Sequence, residues 1–395
     1  MVFDSVDMQP DPIWRRLRRP LKNICDTYLP AMPETFRLRG VFREGGPVLT
    51  ILFLGRPFLL HDMQLLFFSD LHDVQKIGSG NLLRNRKVVR RQQIAQDDLV
   101  VVDSAVWRGA AKAAYILPPT ASAELRVPSN CDTFLSTQVS KDHRRALKRA
   151  HAWGLAVRQA TTATDHNYFY DTLLLPSIKR RHHKSAHVPS QQDYAKVAKS
   201  GEVFLFSHAN ITVGGYALLL SKRQSRAEVW RVGVHESVTD GKLLRALNAQ
   251  LDFHALGRAA ELGMRTFSLG TTPPLLMGGL YGYKRRWGCS FVRAQDYPVL
   301  RVSFVSPRRR ELLAHRPVLA CSATGMYGLV GSVRGDAADL ESIGHLASIA
   351  SYPGFEGLVV DTEAQTPLAQ AIINTAKGSF DCPVRVESLA HHPQN

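Results

Sequence analysis

Apolar residues recur in blocks along the chain, and the blocks alternate between the spacing of strands and the spacing of helices. The middle of the chain shows this most clearly, with strand-length apolar runs at 203–208, 211–220 and 228–234 separated by turn residues. From 241 to about 261, apolar residues return every three or four positions, as in an amphipathic helix. A strand at 266–270 completes a predicted β-β-β-α-β order.

The sequence before this block predicts a helix, a strand, a second helix and a loop. Ser140 can act as the N-cap of a helix that Gly154 ends, and alternation over 155–158 predicts a strand. A periodic aromatic pattern over 167–178 predicts a helix that stops close to its proline. The charged residues at 179–189 are too polar for a core, so they predict an exposed loop.

The two ends of the chain give shorter signals. Strands are predicted at 41–54 as a hairpin, and at 98–103, 318–321, 357–361 and 384–387, with helices at 339–350 and 367–376. The C-terminal alternation predicts a small α/β region with a parallel sheet. Gly325, Gly328 and Gly331 match neither a P-loop nor a dinucleotide fingerprint, so they are interpreted as a flexible or tightly turning connection.

Length and composition indicate a folded protein of more than one domain. A chain of 395 residues with 45% apolar and 21% charged residues has enough material for two or three domains with sizeable cores. Proline-rich connections and the change of pattern give three predicted domains, at 1–135, 136–300 and 301–395.

The chain carries a formal charge of +16, from 50 Lys and Arg against 34 Asp and Glu. Such an excess favours a polyanionic partner, namely RNA, an anionic membrane surface, an acidic carrier protein, or a substrate or cofactor that bears phosphate. The alternative is a solvated basic surface with no particular partner. Charge alone does not choose among these.

The sequence carries no pattern for export or for a membrane span. Its start is acidic rather than basic, and its longest apolar runs fall short of the ~20 residues that cross a bilayer. We therefore expect a cytoplasmic protein with no transmembrane segment. Five scattered cysteines without a C-x-x-C pair predict reduced thiols rather than disulfides or a zinc site.

One short segment concentrates aromatic and basic residues after a strand end. Residues 278–288 read GGLYGYKRRWG and follow the strand at 266–270. Open α/β sheets place ligands beyond strand ends. This glycine-loosened stretch is therefore the first place to look for chemistry.

Together with the basic helix after Ser140 and the β-β-β-α-β order, this segment resembles the Fem-like branch of the GNAT acyltransferase superfamily. That branch includes peptidoglycan cross-bridge aminoacyltransferases and acetyltransferase-like relatives, and the resemblance runs from about Ser140 to Val292. It implies an α/β (α+β) fold with a GNAT-type mixed, splayed sheet flanked by helices. It also implies two GNAT-like halves, with the small C-terminal α/β region as an addition.

The resemblance implies an N-acyltransferase. An acyl group would pass from an activated donor, acyl-CoA or an acyl-carrier thioester, to an amine acceptor by direct attack in a ternary complex. One alternative is an aminoacyl-tRNA-dependent aminoacyltransferase that forms a peptide bond. Another is a non-catalytic protein that binds RNA or another polyanion on an acyltransferase fold. The partners expected are an amine-bearing substrate with tRNA or an acidic carrier protein; no metal is expected, and the oligomeric state stays open.

The resemblance also implies roles for single residues. Lys284 would lie beside donor and acceptor, where it stabilises charge or binds a phosphate, and Tyr281 and Tyr283 would position the amine or protonate the leaving group. Glu228 or Glu236 would serve as base, directly or through water. The alternatives are a surface cation for Lys284, core aromatics for the tyrosines and surface carboxylates for the glutamates.

For the donor, the resemblance points to the third strand of the block and to the start of the long helix. A backbone N–H at Val232, Gly233 or Val234 would bind the donor carbonyl, with Gly233 allowing either a bulge or close packing. Gly241 and Lys242 would meet the donor phosphates at the helix start. Only Gly241 matches the phosphate loop of acetyl-CoA enzymes, and this departure disfavours coenzyme A as the donor.

A further set of basic and aromatic residues would bind substrate or polyanion. The set is Arg144, Arg145, Lys148, Arg180, Arg181, His183, Arg285 and Trp287. The alternative for the helix face at 144–148 is simple solvation. The histidines at 182, 183 and 187 lie among four cations that would repel a metal dication, so a substrate loop is the better interpretation.

Overall fold

The computed structural model describes residues 33–42, 45–79, 97–106, 115–182, 188–294, 297–304, 306, 308–333, 337–350, 352, 354–362, 371 and 383–387. Contacts divide the chain into two compact units. The first comprises residues 1–116, 298–309 and 391–395, and the second comprises 117–297 and 310–390. Each unit is therefore built from separate stretches of the chain. The three consecutive domains predicted from the sequence stay a prediction.

The first unit is built on a six-stranded sheet. Its strands are β1 (Glu34–Val41), β2 (Val48–Gly55), β3 (Asp70–Ser79), β4 (Leu99–Asp103), β5 (Tyr115–Leu117) and β13 (Leu300–Phe304), in the order β3-β1-β2-β4-β13-β5. Helix α1 (Leu60–Phe67) follows β2 after a 3-10 turn at Pro57–Leu59. The predicted hairpin is confirmed in its second arm and its turn, because β1 and β2 pair antiparallel, but its first arm lies before the predicted range of 41–54. The presence of a second GNAT-like half here stays a prediction.

The second unit contains a seven-stranded sheet in the order β12-β6-β11-β10-β9-β8-β7. Its strands are β6 (Ala121–Arg126), β7 (Ala156–Gln159), β8 (Gly201–His208), β9 (Ile211–Ser221), β10 (Arg226–Val234), β11 (Thr266–Thr272) and β12 (Ser290–Arg293). Strands β10 and β11 are parallel and the other neighbours are antiparallel. The predicted β-β-β-α-β order is confirmed in β8, β9, β10, a long helix and β11.

Helices flank this sheet. They are α2 (Cys131–Thr137), α3 (Lys141–Ala152), α4 (Ala163–Tyr168), a π-helical segment (Phe169–Leu174), α5 (Leu175–His182), α6 (Gln191–Ser200), α7 (Gly241–Glu261) and α8 (Gly279–Arg286). Ser140 caps α3 as predicted, because its side chain accepts the N–H of His143. The helix predicted over 167–178 is present but longer than predicted, so residues 179–182 are helical and not part of the predicted exposed loop at 179–189. It reaches His182, and the π-helical segment Phe169–Leu174 leads directly into the turn that contains the proline.

A four-stranded sheet completes the second unit. Its strands are β14 (Val318–Cys321), β15 (Met326–Gly331), β16 (Phe355–Asp361) and β17 (Val384–Glu387), with helices α9 (Arg309–His315) and α10 (Ala337–Ala350). The first pair is antiparallel and the other two are parallel, so the sheet is mixed rather than purely parallel as predicted. The helix predicted at 367–376 lies outside the described residues, apart from position 371.

The flexible or tightly turning connection predicted for the glycines at 325, 328 and 331 is wrong for the last two, while Gly325 lies in the turn that the N–H of Ser322 closes on its carbonyl. Gly328 and Gly331 lie in β15, and Gly325 comes directly before it. A Cβ atom at Gly331 would lie 1.9 Å from the carbonyl oxygen of Arg310, and one at Gly328 would lie 2.6 Å from Leu358. The spacing therefore marks close packing against a central strand.

One hydrophobic core runs through both sheets of the second unit. Phe291 of β12 stacks on Tyr281 and meets the ring of Tyr352 edge-on at 5.5 Å. The hydroxyl of Tyr352 donates to the carbonyl of Phe291 at 3.3 Å. None of the helices in the described part of the chain combines the length and hydropathy that crossing a bilayer requires.

Candidate functional site

Strands β10 and β11 part after a short stretch of pairing. They are paired only from Arg226 to Glu228 against Thr266 to Ser268, although both strands continue further. Close to the point where they part, β10 has a register shift against β9, and β11 has one against β6. Trp230 is the extra residue in β10, and the break in β11 falls between Ser268 and Thr271. The sheet is therefore splayed at this point, as the resemblance implied.

Two interpretations were open for Gly233, a bulge and close packing, and the bulge lies elsewhere. Gly233 pairs in register with Gly215, and the irregular position is Trp230. A Cβ atom at Gly233 would lie 2.7–2.8 Å from backbone and side-chain atoms of Leu173 and Leu174. The glycine thus allows the π-helical segment to pack closely on β10, which was the alternative interpretation.

Lys284 lies where the two strands part. Residues 279–286 form helix α8 rather than a glycine-loosened stretch, so its side chains have fixed directions. Lys284 is 5% exposed, and its Nζ donates to the carbonyl oxygens of Gly270 at 2.9 Å and Thr271 at 2.7 Å. Gly270 has a φ of +75°, which turns its carbonyl out of the regular ladder. The alternative of a surface cation does not hold.

The neighbouring residue, Tyr283, binds a carboxylate that sequence reasoning missed. Its hydroxyl donates to Oδ2 of Asp252, on α7, at 2.5 Å. Asp252 is 8% exposed and shares a buried stripe with Ala255, Leu256 and Ala259. An acid at helical spacing from three apolar residues was the signal that could have revealed it.

Burial perturbs both charged groups of this cluster. It lowers the pKa of Lys284 to about 8, against the opposing effect of Cys289 and of the Asp252 carboxylate. Burial likewise raises the pKa of Asp252 to about 6, while the hydrogen bond from Tyr283 and the charge of Lys284 act in the opposite direction. Asp252 and Lys284 are thus a buried acid and base, each favouring the charged form of the other.

Aromatic rings enclose this cluster on the side of α3. His143 lies 4.8 Å from the ring of Tyr283 and meets Trp287 at a right angle with centroids 4.9 Å apart. Burial lowers the pKa of His143 to about 4, with Arg286 adding to the effect. The N–H of Ser140 donates to the carbonyl of Arg286, which ties α3 to the end of α8.

Two other predicted catalytic residues are engaged elsewhere. Tyr281 is 1% exposed and stacks on Phe291 with ring centroids 4.2 Å apart, as a core aromatic does. Glu228 forms an ion pair with Arg226 at 2.9 Å, and Arg226 also binds Glu124 at 3.0 Å. The catalytic roles assigned to these residues stay predictions, as does that of Glu236, which is exposed beyond β10.

The start of α7 differs from a phosphate site. Asp240 is its N-cap, and its Oδ1 accepts the N–H groups of Lys242 at 2.6 Å and Leu243 at 3.4 Å. The carbonyl of Val234 accepts from Arg180 at 3.2 Å, so the end of β10 is also engaged. The donor-binding role predicted for 232–234, 241 and 242 stays a prediction.

The basic helix face borders a groove of about 530 Å³ between α2 and α3. Its lining is made of Asp132, Leu135, Ser136, Lys141, Arg144, Arg145, Leu147 and Lys148. The opposite face of α3 is buried, with His143, Ala146 and Ala150 directed inward, and the helix packs on α7. Three predicted polyanion-binding residues therefore share one concave surface.

The remaining predicted residues are spread over α5 and α8. Arg285 is half-buried and Trp287 is 1% exposed and directed into the core. Arg181 lies in α5, and His183 lies outside the described residues. Within the part of the chain that the structure describes, no group of three His, Cys, Asp or Glu side chains is arranged to hold a metal ion.

The chain aligns with several solved structures at low sequence identity. L-PGS from Bacillus licheniformis aligns over 78% of this chain and 97% of its own, at 11% identity and a TM-score of 0.38. FemX aligns over 69% of this chain and 88% of its own, at 14% identity and a TM-score of 0.38. A GCN5-related N-acetyltransferase from Sphaerobacter thermophilus aligns over 65% of this chain and 73% of its own, at 11% identity and a TM-score of 0.31. No protein-family model matches the sequence, and no curated protein sequence matches it.

Proposed function

We propose that this protein is an N-acyltransferase that passes an acyl group from an activated carbonyl donor directly to an amine. The observation that carries the proposal is the parting of β10 and β11 after Glu228, with Lys284 buried at that point. Separated strand ends expose backbone groups to a ligand, and a buried cation stabilises charge that develops beside it.

Lys284 is the residue suited to the developing charge. An ammonium group has three N–H bonds, and the described residues occupy two of them through Gly270 and Thr271. The third is the donor that the proposal directs at the oxyanion of the tetrahedral intermediate. Such a hydrogen bond in a dry site contributes about 3–4 kcal/mol to catalysis.

Direct transfer agrees with the state of the nearby thiol. Burial raises the pKa of Cys289 to about 12, so this cysteine is a protonated thiol at neutral pH and a poor nucleophile. In the proposed reaction the amine nitrogen forms the bond to the acyl carbon. The bond to the leaving group breaks, and the amine proton passes to that group. No covalent acyl-enzyme is needed.

Coenzyme A does not fit the start of α7 in the way that the resemblance implied. A pyrophosphate there would need the first N–H groups of the helix, and the carboxylate of Asp240 already accepts two of them. That carboxylate would also repel a phosphate. The proposal therefore names the donor only as an activated acyl compound.

A second candidate keeps the same transfer but takes an aminoacyl-tRNA as donor. The groove between α2 and α3 favours it, because Lys141, Arg144 and Lys148 line it beside a single acid, Asp132. Cations on a concave surface bind phosphodiesters through charge. The lining contains no aromatic side chain, so contact with phosphates is better supported than base stacking.

The proposal is tested by amide formation. A cell extract is supplied with isotope-labelled acyl-CoA or aminoacyl-tRNA, and new labelled amides are detected by mass spectrometry with wild-type protein, Lys284→Met and the surface control Lys199→Met. Labelled amides are expected with the wild type and the control, and not with Lys284→Met. An identical product profile with Lys284→Met would overturn the role of Lys284, and the donor that carries label into product separates the two candidates.

A further inference from the structure

Asp252 is a buried carboxylate that the proposed reaction does not use. It lies in the middle of α7, 8% exposed, and accepts the hydroxyl of Tyr283. Moving a carboxylate out of water is costly unless a counter-charge and hydrogen bonds compensate it. A neutral hydroxyl supplies a hydrogen bond but no counter-charge.

The counter-charge is on the next residue of α8. The ionisable groups that act on Lys284 are Cys289, Asp252, Glu228 and Arg231. Cys289 is a protonated thiol and Arg231 is a cation, while Glu228 is ion-paired with Arg226 and 27% exposed. Asp252 is therefore the buried anion of this group.

Tyr283 makes the link geometric as well as electrostatic. Tyr283 and Lys284 are consecutive on a helix of eight residues, so their side chains leave it in different directions. One is bonded to α7 and the other to the turned carbonyls of β11. Fixing the phenol on Asp252 fixes the rotation of α8 and with it the direction of the ammonium group.

We propose that Asp252 is a positioning residue that, through Tyr283, orients Lys284 toward the parted strands and keeps it in its charged form. That Asp252 contributes to catalysis rests on the proposed function, whereas its coupling to Lys284 is independent of that function. In acyl transfer, a lysine held charged in a dry site can donate to an oxyanion, and a neutral amine donates much more weakly.

The coupling is measured by NMR on the full chain with lysine labelled with 13C at Cε. The resonance of Lys284 is the one that Lys284→Arg removes. In the wild type we expect a main step near the pKa of about 8, and a smaller one near pH 6 where Asp252 takes up a proton. In Asp252→Asn the small step disappears and the main step moves to lower pH, because the ammonium has lost its counter-charge. Asp252→Glu should restore both steps.

A main step that stays at the wild-type pH in folded Asp252→Asn would overturn the proposal. If that variant does not fold, Tyr283→Phe decides the question. It should shift the small step to higher pH, because the carboxylate has lost its donor, and no movement of either step contradicts the link. In the amide-forming assay, the fall in the rate of labelled product formation at high pH should move with the main step. Absence of any amide product would count against the proposed function while leaving the titration result intact.

Discussion

The ammonium nitrogen of Lys284 lies 2.7 Å from the carbonyl oxygen of Thr271, within a strand that has already left its neighbour. The bond joins helix α8 to the open part of the sheet. A side chain that carries the proposed chemistry therefore also supports the backbone around it. Loss of function at this residue has to be separated from loss of fold.

Lys284→Met should lower the free energy of unfolding by about 3 kcal/mol, because it leaves Asp252 as an uncompensated buried charge and two carbonyls without a donor. The measurement is urea unfolding at pH 7.5. Lys199→Met, on the exposed face of α6, should stay within about 0.5 kcal/mol of the wild type. Equal stability of the two variants would show that Lys284 does not support the strand.

Asp252→Asn should make the protein more sensitive to acid between pH 6 and 4. Burial lowers the pKa of His143 from 6.5 to about 4, so the unfolded chain binds a proton there first and acid destabilises the fold. Burial raises the pKa of Asp252 from 3.8 to about 6, so the folded protein binds that proton first and acid stabilises the fold. Each effect amounts to about 3 kcal/mol over its window, and the two oppose each other.

Urea midpoints at pH 6, 5 and 4 check this balance. As pH falls from 6 to 4, stability should fall more steeply than in the wild type in Asp252→Asn and less steeply in His143→Gln. Each variant removes one of the two opposing effects. Parallel slopes in all three proteins would contradict the assigned burial effects.

Gly233→Ala should destabilise the second unit by about 1–3 kcal/mol, because the new methyl group would lie within 3 Å of Leu173 and Leu174. Gly257→Ala is the matched control. It lies in α7 with no atom within 4 Å of the new methyl, so it should stabilise by about 0.5–1 kcal/mol. Thermal unfolding of both variants is the measurement, and a shift of equal sign would refute the close packing.

Asp240→Gly should increase the thermal stabilisation that coenzyme A gives. The change releases the N–H groups of Lys242 and Leu243 and removes a negative charge from the helix start, at a cost of only a few tenths of a kcal/mol in stability. Asp193→Gly, in the first turn of α6, removes the same charge from an exposed site and is the control. No gain over this control would mean that the Asp240 carboxylate is not what keeps phosphate from this helix.

Arg145→Glu with Lys148→Glu should weaken binding of a single-stranded RNA and reduce the slope of log K against log salt by about 1.4, since two phosphate contacts are lost. The matched control is Lys222→Glu with Arg223→Glu, which makes the same charge change on an exposed turn. Fluorescence anisotropy at several salt concentrations provides the measurement. Equal effects of the two pairs would assign binding to net charge rather than to the groove.

The strands and the long helix were predictable because their signals are local. Periodicity over 203–270 gave every element of the central block, and Ser140 and Gly154 marked the ends of α3. The helix at 167–178 was predictable in the same way, but its last turn to His182 was missed because the cations at 179–182 suggested an exposed loop. Helix α8 was missed because three glycines at its start suggested a loop.

The site was predictable only in part. Lys284 stood out because a motif surrounds it, and the structure places it beside the splayed strands. Asp252 could not be found in this way, because its partner Tyr283 lies 31 residues away and only the fold brings them together. The role of Asp240 is likewise a matter of hydrogen-bond geometry, which the sequence does not contain.

The shared core of the two sheets bears on how the second unit comes apart. Phe291 contacts both Tyr281, three residues from Lys284, and Tyr352, near the strands that finish the unit. A chain cut after β13 would leave these rings in water and the last turn of α8 unsupported. Because one core joins both sheets, the intact second unit should melt in a single cooperative transition, and strands β14 to β17 count as part of the scaffold on which the site is built.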